Sequence, residues 1–397
     1  MTQLRIDRGL SLRVPAFARS EPVQFVAIGS LALYLHSLFW WTEPRDMGLF
    51  LEPWFQHIVF YGPIEVFSHP FSNYTPSYLY LLSMASLAHR LVAPMFAIKL
   101  LSVLGNLFAV WAVSDLIKAC GGRGRYAMLL LAVPSFVINA ALLAQCDALW
   151  AGACVLAVSG MIAQRPIKSL IWCGIAVSFK AQAAFIAPFM IGALIGRRQP
   201  LWQWLIPPAV FITMMFPAWL AGWPAWELAM VYPGQAAWGD FPSRLANPWM
   251  FGTVYAAEAA HELYWLGFAA AGAASIGIGV FASNRTREPR TMLLLATLSA
   301  LALPFVLPKM LERYFFLAGL ISIALAVSYT NRATVFIALA VETASLLSLL
   351  TYMYFYVDPY LTLVGALFAA SALIATMTLL GHRGPSLSAV QQRPLLG

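Results

Sequence analysis

Two acids and a few cations stand out as groups that could do chemistry in a chain otherwise poor in them. Asp46 lies in T-E-P-R-D-M-G-L-F-L-E-P-W-F-Q-H-I, directly after the first apolar run and before a short amphipathic stretch carrying Trp54, Phe55 and Ile58. That carboxylate reads either as a solvated loop acid or N-cap for residues 47–60, or as a general base. Glu43, Arg45 and His57 flank it as candidate substrate contacts, and Tyr74 follows in S-N-Y-T-P-S-Y-L-Y-L-L. There Pro76 can start a helix, and Tyr74, Tyr78 and Tyr80 suit an interfacial belt. Asp147 in A-Q-C-D-A-L-W sits at a helix entrance, as an N-cap or a binding group. Lys180 and Gln182 fall between two apolar runs in V-S-F-K-A-Q-A-A-F-I-A-P, and Lys309, Glu312 and Arg313 share P-K-M-L-E-R-Y-F-F-L-A. Arg244 and Asn247 stand among Trp226, Tyr232, Trp238, Phe241 and Trp249. Aromatic faces with a few polar groups suit either a sugar or an interfacial belt, while guanidinium and ammonium groups suit a phosphate.

The elements that must position these groups are set by composition. The chain has 397 residues, 61% hydrophobic and only 10% charged, more apolar surface than a water-soluble fold of that length buries. The expected fold is therefore an all-α polytopic membrane protein. The net charge of +8 comes from short Lys/Arg clusters between apolar runs, the pattern of membrane topology rather than of nucleic-acid binding. Cys120, Cys146, Cys154 and Cys173 have no metal-type spacing, and neither a disulfide framework nor a metal is expected.

Apolar runs lie at about 23–41, 94–117, 126–142, 148–163, 167–180, 182–196, 201–220, 262–282, 291–307, 313–330, 333–352 and 359–381, which predicts about twelve crossings. A further run, 76–92, would be a thirteenth and would invert every later loop. Charge argues against that crossing. Without it, one side receives the N-terminal arginines, Lys118, Arg123, Arg125, Arg165, Lys168, Arg197, Arg198, Arg285, Arg287, Arg290, Arg332, Arg383 and Arg393, and that side is the cytoplasm. Residues 1–22 and 383–397 become cytoplasmic tails around one transmembrane domain, 23–382. Two large outer loops, 42–93 and 221–261, face the other way, the first containing short amphipathic helices. The acids within apolar runs, Asp115 and Glu342, are placed near predicted ends, and no internal repeat is evident.

The order of motifs resembles the GT-C class of membrane glycosyltransferases. It is most similar to the endoplasmic-reticulum glucosyltransferases that extend the lipid-linked N-glycan precursor, and to their bacterial relatives. The resemblance covers residues 42–318 and rests on Asp46 with its amphipathic Trp-containing helix, Y-T-P-S-Y in place of a Tyr-Pro-Pro, and Q-C-D-A. F-K-A-Q stands in place of a Lys-Gln pair followed by Pro, R-L-A-N-P-W in place of an Ala-Asn-Phe-Trp, and M-L-E-R-Y-F completes the set. Two departures stand out: Leu311 replaces the family's usual His, whose role is absent or supplied by His57 or His69, and Ser77 replaces the second Pro.

The resemblance implies an inverting transfer of a hexose from a polyprenyl-phosphate sugar to a glycan or lipid-linked glycan acceptor, with Asp46 taking the acceptor proton. Arg313 first, then Lys309, Lys180 and Arg244, would hold the donor phosphate. Glu43, Arg45, Trp54, His57, Tyr74, Asp147, Gln182, Asn247, Trp249 and Glu312 would line the substrates. No cofactor or metal is implied, although Asp46, Glu43 and Asp147 could together hold a cation. Expected partners are the lipid-linked donor, the glycan acceptor and membrane lipids, and the expected place is a bacterial inner membrane with a periplasmic site rather than the endoplasmic reticulum. The competing classes are a flippase or transporter, which would place charges at the midplane of broken helices, and a polymer ligase.

Overall fold

The computed structural model describes residues 21–237, 243–250, 262–285, 288–353 and 359–381, and the side chains of all of these except Glu21 and Pro359. Every regular element among them is helical. Among the described residues six helices are long and apolar enough to cross a bilayer: α4 (Pro94–Ala119), the Leu201–Leu220 unit whose main part is α9 (Ile206–Leu220) and which the shorter α10 (Ala225–Ala237) follows, α11 (Tyr264–Ser283), α12 (Pro289–Val306), α14 (Arg332–Met353) and α15 (Pro359–Gly381). Helices of that kind make the chain an integral membrane protein.

The remaining apolar runs are helical too, but shorter or broken. They are α1 (Glu21–Ser37), α6 (Asp147–Ile162), α7 (Pro166–Phe179), the Ala181–Gly196 unit ending in α8 (Ala187–Gly196), and α13 (Phe316–Ser328). At 1.5 Å per residue α6 is about 24 Å long. Its environment explains how so short a helix is tolerated: every residue except Leu149 is buried, so its ends meet protein rather than lipid.

The run 126–142, expected as one span, is instead two pieces, a 3₁₀ segment Gly124–Ala132 and a unit Pro134–Leu142, bent by 71°. Pro134 is the cause. Its ring pushes Val133 to φ −75°, ψ 126°, outside the helical region, and it brings no N–H to continue the ladder. The second piece, α5 (Pro134–Val137) and its following π turn, packs Ile138 and Leu142 with Leu143 against Phe39 after α1 and Leu349 of α14.

Between α1 and α4 the chain makes a π turn at Met47–Leu51, then α2 (Glu52–Tyr61) and α3 (Pro76–Ser86). With 11 residues α3 ends well short of the run 76–92, and residues 87–91 form turns. Such a helix is about 16 Å long and does not cross by itself. A second cluster, built on Met47, Trp54, Phe55, Ile58, Tyr78, Leu79 and Leu82, packs these short helices onto α4 and α9 through Ile98 and Met215.

Close helix approaches hold the bundle. Gly192 of α8 meets the Gly279 carbonyl of α11, where a Cβ would collide with backbone, so only glycine permits that approach. The Lys/Arg-bearing turns meet one another at one end. Arg197 donates to the Met161 carbonyl, Arg285 donates to Leu380 at 2.8 Å, and Gly122 lies against Ser328.

Candidate functional site

The opposite end of the bundle gathers the chemistry-bearing residues, each at a helix terminus. Asp46 follows α1, Asp147 opens α6, Lys180 follows α7, Glu312 and Arg313 join α12 to α13, and Tyr352 is near the end of α14. Neither acid is a helix cap. Asp46 precedes the π turn with its backbone already helical and no side-chain bond to it, and the residue before α6 is Cys146. The capping roles open to them are therefore not the ones they fill.

Asp147 is buried and ringed by donors: Lys180 Nζ at 2.7 Å and Trp150 Nε1 at 2.9 Å on Oδ1, and Asn139 Nδ2 at 2.9 Å on Oδ2. Arg313 stands between the two acids. Its Nε is 3.5 Å from Asp147 Oδ2, its Nη1 is 3.6 Å from Asp46 Oδ2, and Nη1 also donates to Glu312 Oε1 at 2.6 Å. Asp46 accepts from Tyr352 Oη at 2.6 Å on Oδ1 and from Gln145 Nε2 at 3.1 Å on Oδ2. Three carboxylates thus face two cations in one connected, largely desolvated group, where charge neutralisation between partners is what makes burial tolerable.

The Asp46 turn is itself fastened by a residue absent from the sequence expectations. Lys99 of α4 is fully buried, and its ammonium donates to the carbonyls of Phe39, Trp40 and Thr42 at 2.6, 3.1 and 2.5 Å. All three donors of the ammonium are spent on the chain end that leads into Asp46. A lysine inside an apolar run was the available signal for it.

Around these ion pairs lie polar atoms with no hydrogen-bond partner among the described residues: Asn139 Oδ1, Gln145 Oε1, Gln182 Oε1, Glu312 Oε2 and Arg313 Nε. Buried groups are normally satisfied, so these are the atoms that a polar ligand or water entering the group would meet.

Other expected residues fall on the border of this cluster. Tyr74 packs against Trp54 at a tilt of 55° with centroids 5.1 Å apart and receives the Lys180 ammonium over its ring at 5.0 Å. Loss of water around it pushes its phenol up to about 12 against the pull of Lys180, so it stays neutral. Gln182 donates to Tyr314 Oη at 2.6 Å. Arg244 lies over the Tyr352 ring, 5.6 Å from its centroid, and Lys309 over Tyr264 at 5.6 Å.

Asn247 and Trp249 do structural work here: Asn247 Nδ2 donates to Pro304 and Leu307, and Trp249 Nε1 donates to Val306 at 2.7 Å, tying residues 243–250 to the end of α12. Glu43 and Arg45 are exposed beside Asp46, and no contact brings Glu43 to Asp147. His57 Nε2 pairs with His69 Nε2 at 3.3 Å, apart from the Arg313 group. Trp226 is exposed, Tyr232 donates to the Val177 carbonyl, and Trp238 and Phe241 lie outside the described residues. Among the described residues no three His, Cys, Asp or Glu side chains form a metal cluster.

Of the two acids within spans, Asp115 lies as expected and Glu342 does not. Asp115 is near the end of α4 and accepts from Ser159 Oγ at 2.7 Å. Glu342 is not near an end: it is the eleventh of the 22 residues of α14. It accepts from Ser135 N at 2.8 Å and Ser135 Oγ at 2.6 Å, filling the place at the start of α5 where the Pro134 break leaves helix donors unmet.

Residues 59–196, from α2 through α8, match the model of a family described as alpha-(1->6)-mannopyranosyltransferase, N-terminal domain. The match supports a membrane glycosyltransferase of the GT-C class. It takes in Tyr74, Asp147, Lys180 and Gln182, while Asp46, Arg244, Arg313 and Tyr352 lie outside it. No curated protein matches the chain.

Proposed function

We propose that this chain transfers a hexose, mannose in keeping with the matching family's description, from a polyprenyl-phosphate sugar to a glycan or lipid-linked glycan acceptor. The observation that carries the reading is the meeting of Asp46 and Asp147 on Arg313, beside buried polar atoms that have no hydrogen-bond partner among the described residues. In this reading Asp46 removes the proton from the acceptor hydroxyl as that oxygen attacks the anomeric carbon and the polyprenyl phosphate leaves, inverting the centre. General-base help of this kind is worth on the order of 100- to 10,000-fold.

The leaving phosphate needs positive charge rather than a proton. Arg244 and Lys309 carry their charges over the Tyr352 and Tyr264 rings at the border of this group, and in our reading they take the phosphate together with Arg313. The site end of the bundle then faces away from the cytoplasm, because the Lys/Arg-rich turns occupy the other end. About twelve crossings, both tails cytoplasmic and a bacterial inner membrane complete the proposal.

The test is transfer by detergent-purified protein from radiolabelled polyprenyl-phosphate mannose to an α-mannoside acceptor. Asp46→Asn should abolish transfer while donor still raises Tm by mass action. Turnover at the wild-type rate by the Asn variant sinks the base assignment, and failure of every polyprenyl-phosphate hexose to react or stabilise sinks the function.

One observation favours a transporter: a mid-span carboxylate at a broken helix. Both oxygens of Glu342 are already bonded to Ser135, however, and the adjoining cavity is about 10 Å³, about enough for one water. That is a helix-end clamp, not a substrate path.

A further inference from the structure

Asp46 does not hold itself in place. An aspartate carboxylate turns about a broad terminal torsion, so its direction must be fixed by what bonds to it. Two side chains do so from opposite sides, Tyr352 at Oδ1 and Gln145 at Oδ2. The 2.6 Å contact from Tyr352 has the length of a hydroxyl bonded to a charged oxygen.

Tyr352 is well placed for this because α14 is fastened along its length to the other parts of the site. Glu342 holds Ser135 at the start of α5, Ser348 Oγ accepts from Ala246 N at 2.9 Å, and the Tyr352 ring packs with Phe39 against Ile138, Leu142, Leu143 and Leu349. One helix therefore sets the broken helix, the 243–250 segment and the acid relative to one another.

We propose that Tyr352 is a positioning residue for Asp46, and that its hydroxyl aims the carboxylate so that a free lone pair meets the acceptor hydroxyl. A carboxylate offers about four acceptor sites, so two protein bonds still leave room for substrate. This rests on the base role of Asp46 given above.

Tyr352→Phe keeps the ring and its packing and removes only the hydroxyl. It should lower kcat about 10-fold, because a carboxylate held from one side alone samples unproductive directions, while KM for polyprenyl-phosphate mannose holds within about 2-fold. A purely packing role predicts the reverse, a silent Phe variant and an impaired Tyr352→Leu.

Wild-type kcat in Tyr352→Phe, or a loss that appears in KM rather than kcat, overturns the proposal. If the wild-type protein transfers no sugar at all, the glycosyl-transfer reading fails separately, and the contact is decided by unfolding. Asp46→Ala and Tyr352→Phe should then be non-additive in Tm by about 3 °C, and strict additivity overturns the pairing.

Discussion

The Lys180–Asp147 pair offers the sharpest test of how the site is held. The two groups are 2.7 Å apart with side chains 8% and 1% exposed, so neither charge has water to fall back on. Lys180→Met removes the ammonium at nearly constant bulk. Breaking a buried pair from one side costs about 3–5 kcal/mol, because it strands the other charge. Asp147 keeps Asn139, Trp150 and the Arg313 Nε 3.5 Å away, which places the cost at the low end. About 3 kcal/mol is about a 150-fold rise in the unfolded fraction. Equilibrium unfolding in mixed micelles, titrated with a denaturing detergent and followed by tryptophan fluorescence, reads that shift directly. The double variant Lys180→Met/Asp147→Asn should regain most of the loss, since a neutral amide needs no counter-charge. An unmoved midpoint for the single variant, or a double variant no better than the single, refutes the stranded-charge argument and returns Lys180 to the donor phosphate.

Lys99→Met should leave the Phe39, Trp40 and Thr42 carbonyls without their donor and loosen the turn carrying Asp46, cutting transfer about 10-fold and stability by about 2–3 kcal/mol; unchanged transfer would dissociate Lys99 from the site. Glu342→Gln should fold and react normally, because an amide can still accept from Ser135 N, whereas Glu342→Leu should lose about 1–3 kcal/mol by unfolding titration; a dead Gln variant would favour the transporter reading. His57 is held below the ordinary histidine value of 6.5 by burial and by His69, so protons favour the unfolded chain. Stability is therefore complete above about pH 6.5 and falls as pH drops through the lowered value, and His57→Gln should flatten the acid side of a Tm–pH curve. An acid slope identical in the two proteins would remove the histidine pair from that account.

What could be read from the sequence follows from how unusual each residue was in its surroundings. Asp46, Asp147, Lys180 and Arg313 were legible because charges at the ends of apolar runs on the Lys/Arg-poor side need a reason, and they converge in one ion-paired group. Their pairing was not legible: only the fold shows Asp147 and Glu312 against Lys180 and Arg313. Tyr352 gave no signal, since a tyrosine ending an apolar run looks like any interfacial aromatic, and its partner Asp46 is 306 positions away. Pro134 is a helix breaker in principle, but the apolar count around it outweighs a single residue, and the pattern alone predicts one continuous run.

The break at Pro134 in turn explains Glu342, misplaced near a helix end from sequence. A carboxylate in the middle of a spanning helix is costly unless it meets donors, and an unbroken helix at 126–142 would have offered no backbone donor, because every interior N–H would have been used. By interrupting the ladder, Pro134 frees the Ser135 N–H for Glu342. The same bond locks α14 to α5, whose chain runs on to Gln145 and Asp147. The acid that looked like evidence for transport therefore serves the site at a distance: it fixes the register of the helix whose Tyr352 meets Asp46 against the segment whose Gln145 meets it from the other side.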